Sequence, residues 1–542
     1  MTRQSMSVQD ELWLTMDRPN NLMVVDGAMI MEQPADLEQV RDVFRVTGER
    51  FPVFGRRAVR GRRGWVWEDD PDFDLDRHVT AVELPEPADM ATLQRFMAEQ
   101  RSEPLPMDRP RWCAFVVTNL RLPDGTAGSA MVSRFHHSIA DGVRLVQVIL
   151  SMCEAAEPGE RAVEAVVSRK SASAHGPGGG GPDNPIATAG AVVGDAGRAG
   201  VEAASTVADG AQHTARRLTG GVGSAAAGAA HAVRHPRDGV AQAAGQAKRL
   251  SGQISGAVRS GALRVEHGVE HGVHVVRHPD HVLDAIETLG LENRGLNDLG
   301  GLAKLAVETS TSTVWTGKPG RTKALAWSRA VPLPEIKAVG RAHGCTVNDV
   351  LLAAMAGGLR RYLLGRDGHV DEVLWMVPVN LKPFEEELPP DLGNYFALVF
   401  LPMALDIADP VERLKQMQHA MGRIKHSDEA VITFGLQRAV SMSPRQISFF
   451  LTNFFANKAV GVLTNVPGPR GQLTFAGIPV RQLIGFAPCS GDQPMTSTIF
   501  SYNGTVTVGF ATDAALVPDP DVLSEYVVED LDAMIAATGS GA

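Results

Sequence analysis

A chain of 542 residues with 44% hydrophobic and 21% charged residues can bury a large core, and its length points to more than one domain. Its net charge of −10 argues against nucleic acid as a general partner, and four scattered cysteines (Cys113, Cys153, Cys345, Cys489) offer neither a disulfide framework nor a metal site. The N-terminal residues carry no secretory apolar run, and stretches such as Phe396 to Leu405 are too short to span a bilayer, so the sequence reads as cytoplasmic.

Residues 1–160 alternate strand-like and helix-like patterns. Ala130 to Phe135 has the β-branched and aromatic content of a strand, and Val143, Val146, Ile149, Leu150 and Cys153 stand at helical spacing. Between them runs His136-His137-Ser138-Ile139-Ala140-Asp141-Gly142. A strand-to-helix junction can present a side chain into a cleft, and imidazole has the pKa nearest neutrality, which suits a general base. The plainer reading of any one of these residues is a satisfied core histidine, or an Asp capping the next helix.

Residues 165–310 change character. Gly176 to Pro182 reads as a flexible linker, followed by a long Ala/Gly/Val-rich stretch of low complexity. His231 to Pro236 is echoed by His274 to Pro279, and Ala215 to Leu218 by Ala247 to Leu250, at offsets too unequal for a regular repeat. Between His213 and Arg264 the basic residues Arg216, Arg217, Arg234, Arg237, Lys248, Arg249, Arg259 and Arg264 face one acid, Asp238. Two readings stay open: weakly amphipathic helices lying on anionic lipid, or a solvated linker whose glycines undercut helix formation.

Residues 320–542 return to mixed elements. Lys323 to Val331 reads as a strand and Leu333 to His343 as a helix; Asn348 to Leu364 is a second helix, with Val373 to Val379 and Ala397 to Leu401 as strands. Asn465-Val466-Pro467-Gly468-Pro469 reads as a rigid turn. The mixture suggests an α/β or α+β sandwich in each half. No phosphate loop, zinc spacing, dinucleotide fingerprint or Gly-x-Ser-x-Gly elbow stands out, so neither a cofactor nor a metal is expected.

The His-His-x-x-x-Asp-Gly run resembles the active-site motif of the CoA-dependent acyltransferase superfamily, typified by chloramphenicol acetyltransferase and peptide-synthetase condensation domains. Further blocks resemble the bacterial wax ester synthase/diacylglycerol acyltransferase family: Asp10 to Leu14 with Asn21-Leu22-Met23, Pro104 to Trp112, Thr346 to Val350, Leu392-Gly393-Asn394, Asn465 to Pro469, and Ser501 to Gly504 with Asp513. They fall in the family's order, within roughly the first 155 and last 225 residues. Two departures stand out: Asp17, where the family often has Glu, and Pro106-Met107 set between Leu105 and Asp108.

The resemblance implies two chloramphenicol acetyltransferase-like halves, 1–160 and 320–542, with a tunnel between them and residues 165–310 as an insertion. It implies transfer of a fatty acyl group from acyl-CoA to diacylglycerol, giving triacylglycerol, or to a long-chain alcohol, giving a wax ester. His137 is then the general base, and His136 is structural or lines the tunnel. Asp141 fixes the loop through a buried ion pair with an Arg the sequence does not identify, and Gly142 permits close backbone approach. Asn348 is the candidate oxyanion donor, or a helix cap, or both. Asp349 supports it, and Asn465, Pro467 and Gly468 flank the acyl donor. Peripheral contact with the inner membrane face or a lipid droplet is compatible with this reading. Two rival readings are a condensation-type enzyme using carrier-bound acyl groups and a non-catalytic lipid-droplet coat protein.

Overall fold

A computed structural model describes residues 3–62, 64–155, 312–380, 388–394, 396–425 and 445–539. The Ala/Gly-rich stretch, with its echoes and basic residues, lies outside them. In the first part of the chain the order is β1 (Arg3–Ser5), α1 (Val8–Met16), β2 (Val24–Met31), α2 (Leu37–Arg50), β3 (Arg56–Arg60), β4 (Trp65–Asp69), β5 (Val79–Val82), α3 (Met90–Ser102), β6 (Trp112–Arg121), β7 (Ala127–His136), α4 (Gly142–Ser151) and β8 (Glu154–Ala155). In the last part it is β9 (Lys323–Trp327), β10 (Val331–Pro332), α5 (Leu333–His343), α6 (Val347–Leu364), β11 (Glu372–Asn380), β12 (Phe396–Ala404), α7 (Pro410–Lys425), α8 (Arg445–Ala456), β13 (Gly461–Pro467), β14 (Leu473–Phe475), β15 (Ile478–Phe486), β16 (Met495–Tyr502), β17 (Thr505–Asp513) and α9 (Pro520–Gly539).

Two seven-stranded sheets carry the structure, one ordered β5-β6-β7-β2-β15-β14-β8 and the other β10-β17-β16-β13-β11-β12, with β9 also on β17. The first sheet draws strands from both ends of the chain. β15 lies antiparallel to β2, from Val480↔Met31 to Phe486↔Asp26, and β14 adds β8 beyond it. The junction is tied by charge: Asp26 pairs with Arg101 and Arg134, and Arg101 also donates to the Ala487 carbonyl at 2.7 Å. All three side chains of that cluster are buried, so each charge is offset by a partner rather than by water.

The second sheet is covered by α6, which is buried continuously from Asn348 to Leu359. A helix apolar on all sides belongs in an interior, and α6 sits among α5, α7 and α9. A smaller apolar cluster, Leu12, Trp13, Met16 and Met23 with Phe396, joins α1 and the start of β2 to β12. That seam is where the candidate site residues gather. Among the described residues, no helix is long and apolar enough to cross a membrane.

The expected strand over Lys323 to Val331 divides. Trp327 pairs with Gly509 and Val331 with Val506, so four steps on one strand oppose three on the other. Ser328 stays in register, its N–H donating to the Val508 carbonyl at 2.8 Å and its hydroxyl accepting from the Val508 N–H at 3.1 Å, so the extra residue falls between it and Val331.

Candidate active site

β7 ends at the histidines because the next residues turn. Val24 pairs with His136, the His137 N–H donates to the Met23 carbonyl at 2.8 Å, and the Ile139 N–H closes back on the His136 carbonyl at 3.0 Å. α4 then starts at Gly142, capped by Asp141, whose Oδ1 accepts from the Arg144 N–H at 2.9 Å. The guanidinium Nε of Arg144 lies 3.9 Å from Asp141 Oδ2, which supplies the ion-pair partner that sequence reasoning left open. Gly142 departs from its expected reason. A Cβ there would meet nothing within 4 Å, so no close backbone approach demands glycine.

A turn from the last part of the chain docks on this loop. Leu392 and Gly393 have φ of 43° and 82°, a left-handed pair that glycine eases. The Gly393 N–H donates to the Ile139 carbonyl at 3.4 Å, and the Asp141 N–H donates to the Gly393 carbonyl at 3.3 Å. The next side chain, Asn394, uses both amide hydrogens: Nδ2 donates to the His137 carbonyl at 3.0 Å and to Asp10 Oδ1 at 2.8 Å. Burial pushes the Asp10 carboxyl up from its ordinary range, against the hydrogen bonds from Asn394 and Ser7.

The two histidines are held differently. His136 is fully buried. Its Nδ1 accepts from the Ser138 N–H at 3.1 Å, with the Ser138 hydroxyl at 2.8 Å, so the ring proton sits on Nε2, 3.5 Å from Asp17 Oδ2. Asp17 also accepts from Arg111 at 2.6 Å and from the Met23 N–H at 2.9 Å. Burial would raise this carboxyl, but His136, Arg111 and the Met23 amide together hold it well below the usual range. Desolvation, helped by Arg111, pushes His136 down to about 4 despite Asp17, so the ring is neutral. The shortened acid, Asp17, therefore reaches both partners.

His137 is 7% exposed and lies against the Trp13 ring, centroids 4.2 Å apart at 33°, with the Phe396 ring at 5.6 Å. Its Nδ1 is buried with no hydrogen-bond partner, and its own carbonyl favours the protonated ring only weakly. Burial pushes His137 down to about 4, more than that carbonyl and Asn394 offset. The ring is thus neutral near pH 7.

Across the seam, Thr346 rather than Asn348 caps α6. Asp349 completes the capping box: its Oδ2 accepts from the Thr346 N–H at 2.9 Å, and its own N–H donates to Thr346 Oγ1 at 3.3 Å. Asn348 is left for another task. Its Oδ1 accepts from Asn465 Nδ2 at 2.6 Å, while its own Nδ2, in a residue 1% exposed, has no partner. β11, β13 and β16 run parallel, and Asn465 stands near the C-terminal end of β13. Phe396, which touches His137, pairs with Asn380 at the same end of β11. Pro467 pairs with Ser501, and Gly468 must be glycine, since a Cβ would sit 2.2 Å from the Ser501 carbonyl oxygen. Among the described residues, no group of three or more His, Cys, Asp or Glu could hold a metal ion.

Sequence reasoning passed over Trp13, Asp10, Arg111 and Asn394 as site residues, though all four stand in the blocks quoted above. Nothing local marks them. Asn394 is 257 residues from His137, and its role is a contact with a backbone carbonyl.

Comparison with known proteins bears on this arrangement. The wax ester synthase/diacylglycerol acyltransferase catalytic domain matches residues 6–253, and the WS/DGAT C-terminal domain matches residues 392–535. The chain belongs to the wax ester synthase/diacylglycerol acyltransferase family. A Mycobacterium tuberculosis (strain H37Rv) relative, provisionally named a diacylglycerol O-acyltransferase, is 26% identical over 496 residues, covering 88% of this chain and 84% of its own length. A Mycobacterium bovis relative of the same provisional name is 23% identical over 555 residues, 99% of this chain and 92% of its own. Among solved structures, the wax ester synthase/diacylglycerol acyltransferase from Marinobacter aquaeolei VT8 superposes with a TM-score of 0.59 at 18% identity, covering 99% of this chain and 100% of that one. The first condensation domain of the calcium-dependent antibiotic synthetase gives 0.50 at 15% identity, covering 99% and 97%. At these identities the likeness is one of fold, and this member of the family shares the two-sheet α/β architecture of both. By family it is an acyltransferase.

Proposed function

We propose that the chain transfers a fatty acyl group from acyl-CoA to the hydroxyl of diacylglycerol, of a long-chain alcohol, or of both. The observation that carries this reading is the His137 ring, neutral and clamped between Trp13 and the Asn394-anchored backbone at the seam of the two sheets. With Nδ1 buried, Nε2 is the nitrogen left to meet a substrate. It accepts the proton of the acceptor hydroxyl as that oxygen bonds to the thioester carbonyl carbon; positioned proton transfer of this kind contributes about 10²–10⁴-fold.

The carbonyl oxygen then carries negative charge. Asn348 Nδ2 is the donor assigned to it, oriented because Asn465 occupies the other end of the amide. The Trp13 Nε1–H, also buried without a partner, is a second donor beside the ring. Collapse re-forms the carbonyl and breaks the carbon–sulfur bond. The CoA thiolate takes the proton back from the imidazolium, leaving an ester and free CoA. Asp141, Asp349 and His136 position the loop and helix and touch no reacting atom. Both kinds of acceptor dissolve in lipid rather than water, so the work is assigned to the surface of a membrane or lipid droplet.

Purified protein supplied with one acyl-CoA and a panel of diacylglycerol and long-chain alcohols tests this directly. Thin-layer analysis is expected to show acyl-CoA-dependent triacylglycerol or wax ester that disappears in His137→Gln and His137→Ala. Product from acyl-carrier protein but not acyl-CoA would favour condensation chemistry instead. A protein that coats lipid yet makes no ester with any acceptor would end the enzymatic reading.

A further inference from the structure

The contact between Asn394 and His137 leaves one atom of each without a partner. Asn394 Nδ2 donates to the His137 carbonyl at 3.0 Å and to Asp10 Oδ1 at 2.8 Å, while Asn394 Oδ1 is buried and bonded to nothing. His137 Nδ1 is buried and unpartnered in the same way. One atom is an acceptor that lacks a donor, and the other is a ring nitrogen that can carry a hydrogen. Left apart, each is a costly group to bury; brought together, each satisfies the other.

Asn394 cannot be turned end for end. The His137 carbonyl oxygen only accepts, so the end of the amide that meets it is the NH₂, and Oδ1 is the end that remains. That same carbonyl is one of the groups that favour a proton on the ring, so Nδ1 and the Asn394 amide meet around one oxygen. The Asn394 side chain favours the ring proton as well. An amide oxygen has that effect, whereas an NH₂ would oppose it. The neighbouring ring is held the other way: His136 Nδ1 accepts from the Ser138 N–H at 3.1 Å, which leaves its hydrogen on Nε2, facing Asp17.

We infer that Asn394 Oδ1 accepts the Nδ1 hydrogen of His137 and so fixes the ring as the tautomer whose Nε2 keeps a free lone pair. The inference rests on the acyl transfer proposed above, in which Nε2 takes the hydroxyl proton. Asn394 touches no reacting atom and is a positioning residue. One end of its amide holds the loop, and the other selects the basic nitrogen. Its oxygen has the place that an aspartate has in a serine triad, without a charge of its own. Catalytic hydrogen bonds of this kind are often loose before substrate binds and close when it does. Two adjacent imidazoles thus carry their hydrogens on opposite nitrogens, each set by a different neighbour.

The test reads the tautomer directly. Protein carrying isotope-labelled histidine is followed at neutral pH by proton–nitrogen NMR, which separates a ring nitrogen bearing hydrogen from one that does not. His137→Gln identifies the His137 signals by their loss. Wild-type His137 is expected to carry its hydrogen on Nδ1. Asn394→Ala is expected to turn that ring into a mixture of tautomers, with the His136 signals unmoved, kcat lower by about tenfold and KM little changed. Asn394→Asp keeps an oxygen at this place, so its His137 ring should stay protonated on Nδ1 although the lost NH₂ donations lower kcat further. Loosened packing alone would not separate the two variants in this way. Wild-type His137 with its hydrogen on Nε2 overturns the inference, and that measurement needs no variant at Asn394 to fold. An Asn394→Ala ring as fully protonated on Nδ1 as wild type overturns it too. Wild type that makes no ester defeats the proposed reaction, while the tautomer still judges the role of Asn394.

Discussion

On the first sheet's side of the seam, Asp17 binds both Arg111 and His136, Asn394 donates to Asp10 and to the His137 carbonyl, and Asp141 caps the helix that follows. On the second sheet's side, Asn348 has a single side-chain partner, Asn465, and an amide donor left over. The dense side fixes where the proposed base stands, which is how a scaffold converts binding into orientation. The sparse side carries a buried unpaired donor, which ordinarily costs about 1–3 kcal/mol. In the mechanism proposed above, a charged oxygen arriving at Asn348 offsets that cost, so one side is finished before substrate binds and the other is completed by it.

The sharpest way to break this contrast is at the adjacent histidines. His137→Gln keeps a planar side chain against Trp13 and is expected to lower kcat by about 10²–10⁴-fold with little change in melting temperature. His136→Gln should do the reverse, because it disturbs a fully buried ring beside Asp17 and breaks its bonds to Ser138; an unfolding free energy lower by about 1–3 kcal/mol is expected from denaturant titration. Equal activity losses with equal stability would erase the distinction. Asn348→Ala comes next. Loss of an oxyanion donor costs about 10²–10³-fold in kcat, with KM nearly unchanged because the interaction forms only in the transition state. A variant of normal kcat would return Asn348 to a packing role.

Much of this site was legible as residue types and little of it as neighbourhood. The strand, turn and helix around His137 follow from residue pattern, and Leu333–His343 is helical over the residues expected. Asn348 and Asn465 were both chosen from the sequence, yet their mutual hydrogen bond spans 117 residues and no local pattern encodes it. β15 shows why. Period-two alternation specifies a buried face and not a partner, and the partner of β15, β2, lies at the opposite end of the chain. Arg144 is the opposite case: three residues after Asp141, it was within reach of helix-cap reasoning.

Asn394→Ala sharpens the contrast at a smaller scale. It removes the clamp on the His137 carbonyl and leaves Asp10 with one amide donor fewer. The base remains but is held less firmly, so the loss in kcat should stay below the roughly 10²-fold that a 1 Å misplacement can cost. Asn394→Asp should be worse, since it sets a second carboxylate against Asp10. If Asn394→Ala matched His137→Gln, positioning and proton transfer could not be separated here.

The smallest effect expected is on pH dependence, and its sign follows from burial. Desolvation lowers His137 from 6.5 to about 4, so the base stays unprotonated well into acid. The plot of kcat/KM against pH should run level below neutrality and bend down only as pH approaches about 4. Stability moves earlier. Both histidines have folded-state values near 4 against 6.5 when unfolded, so their contribution is complete above pH 6.5 and drains away as pH falls toward 4. Rates must therefore be read in short pulses of acid, before the fold is lost. Trp13→Ala separates the two effects, because it uncovers the His137 ring without touching its nitrogens. The acid limb should then climb toward 6.5, and a limb that stays in place would mean that something other than the indole keeps water from the ring.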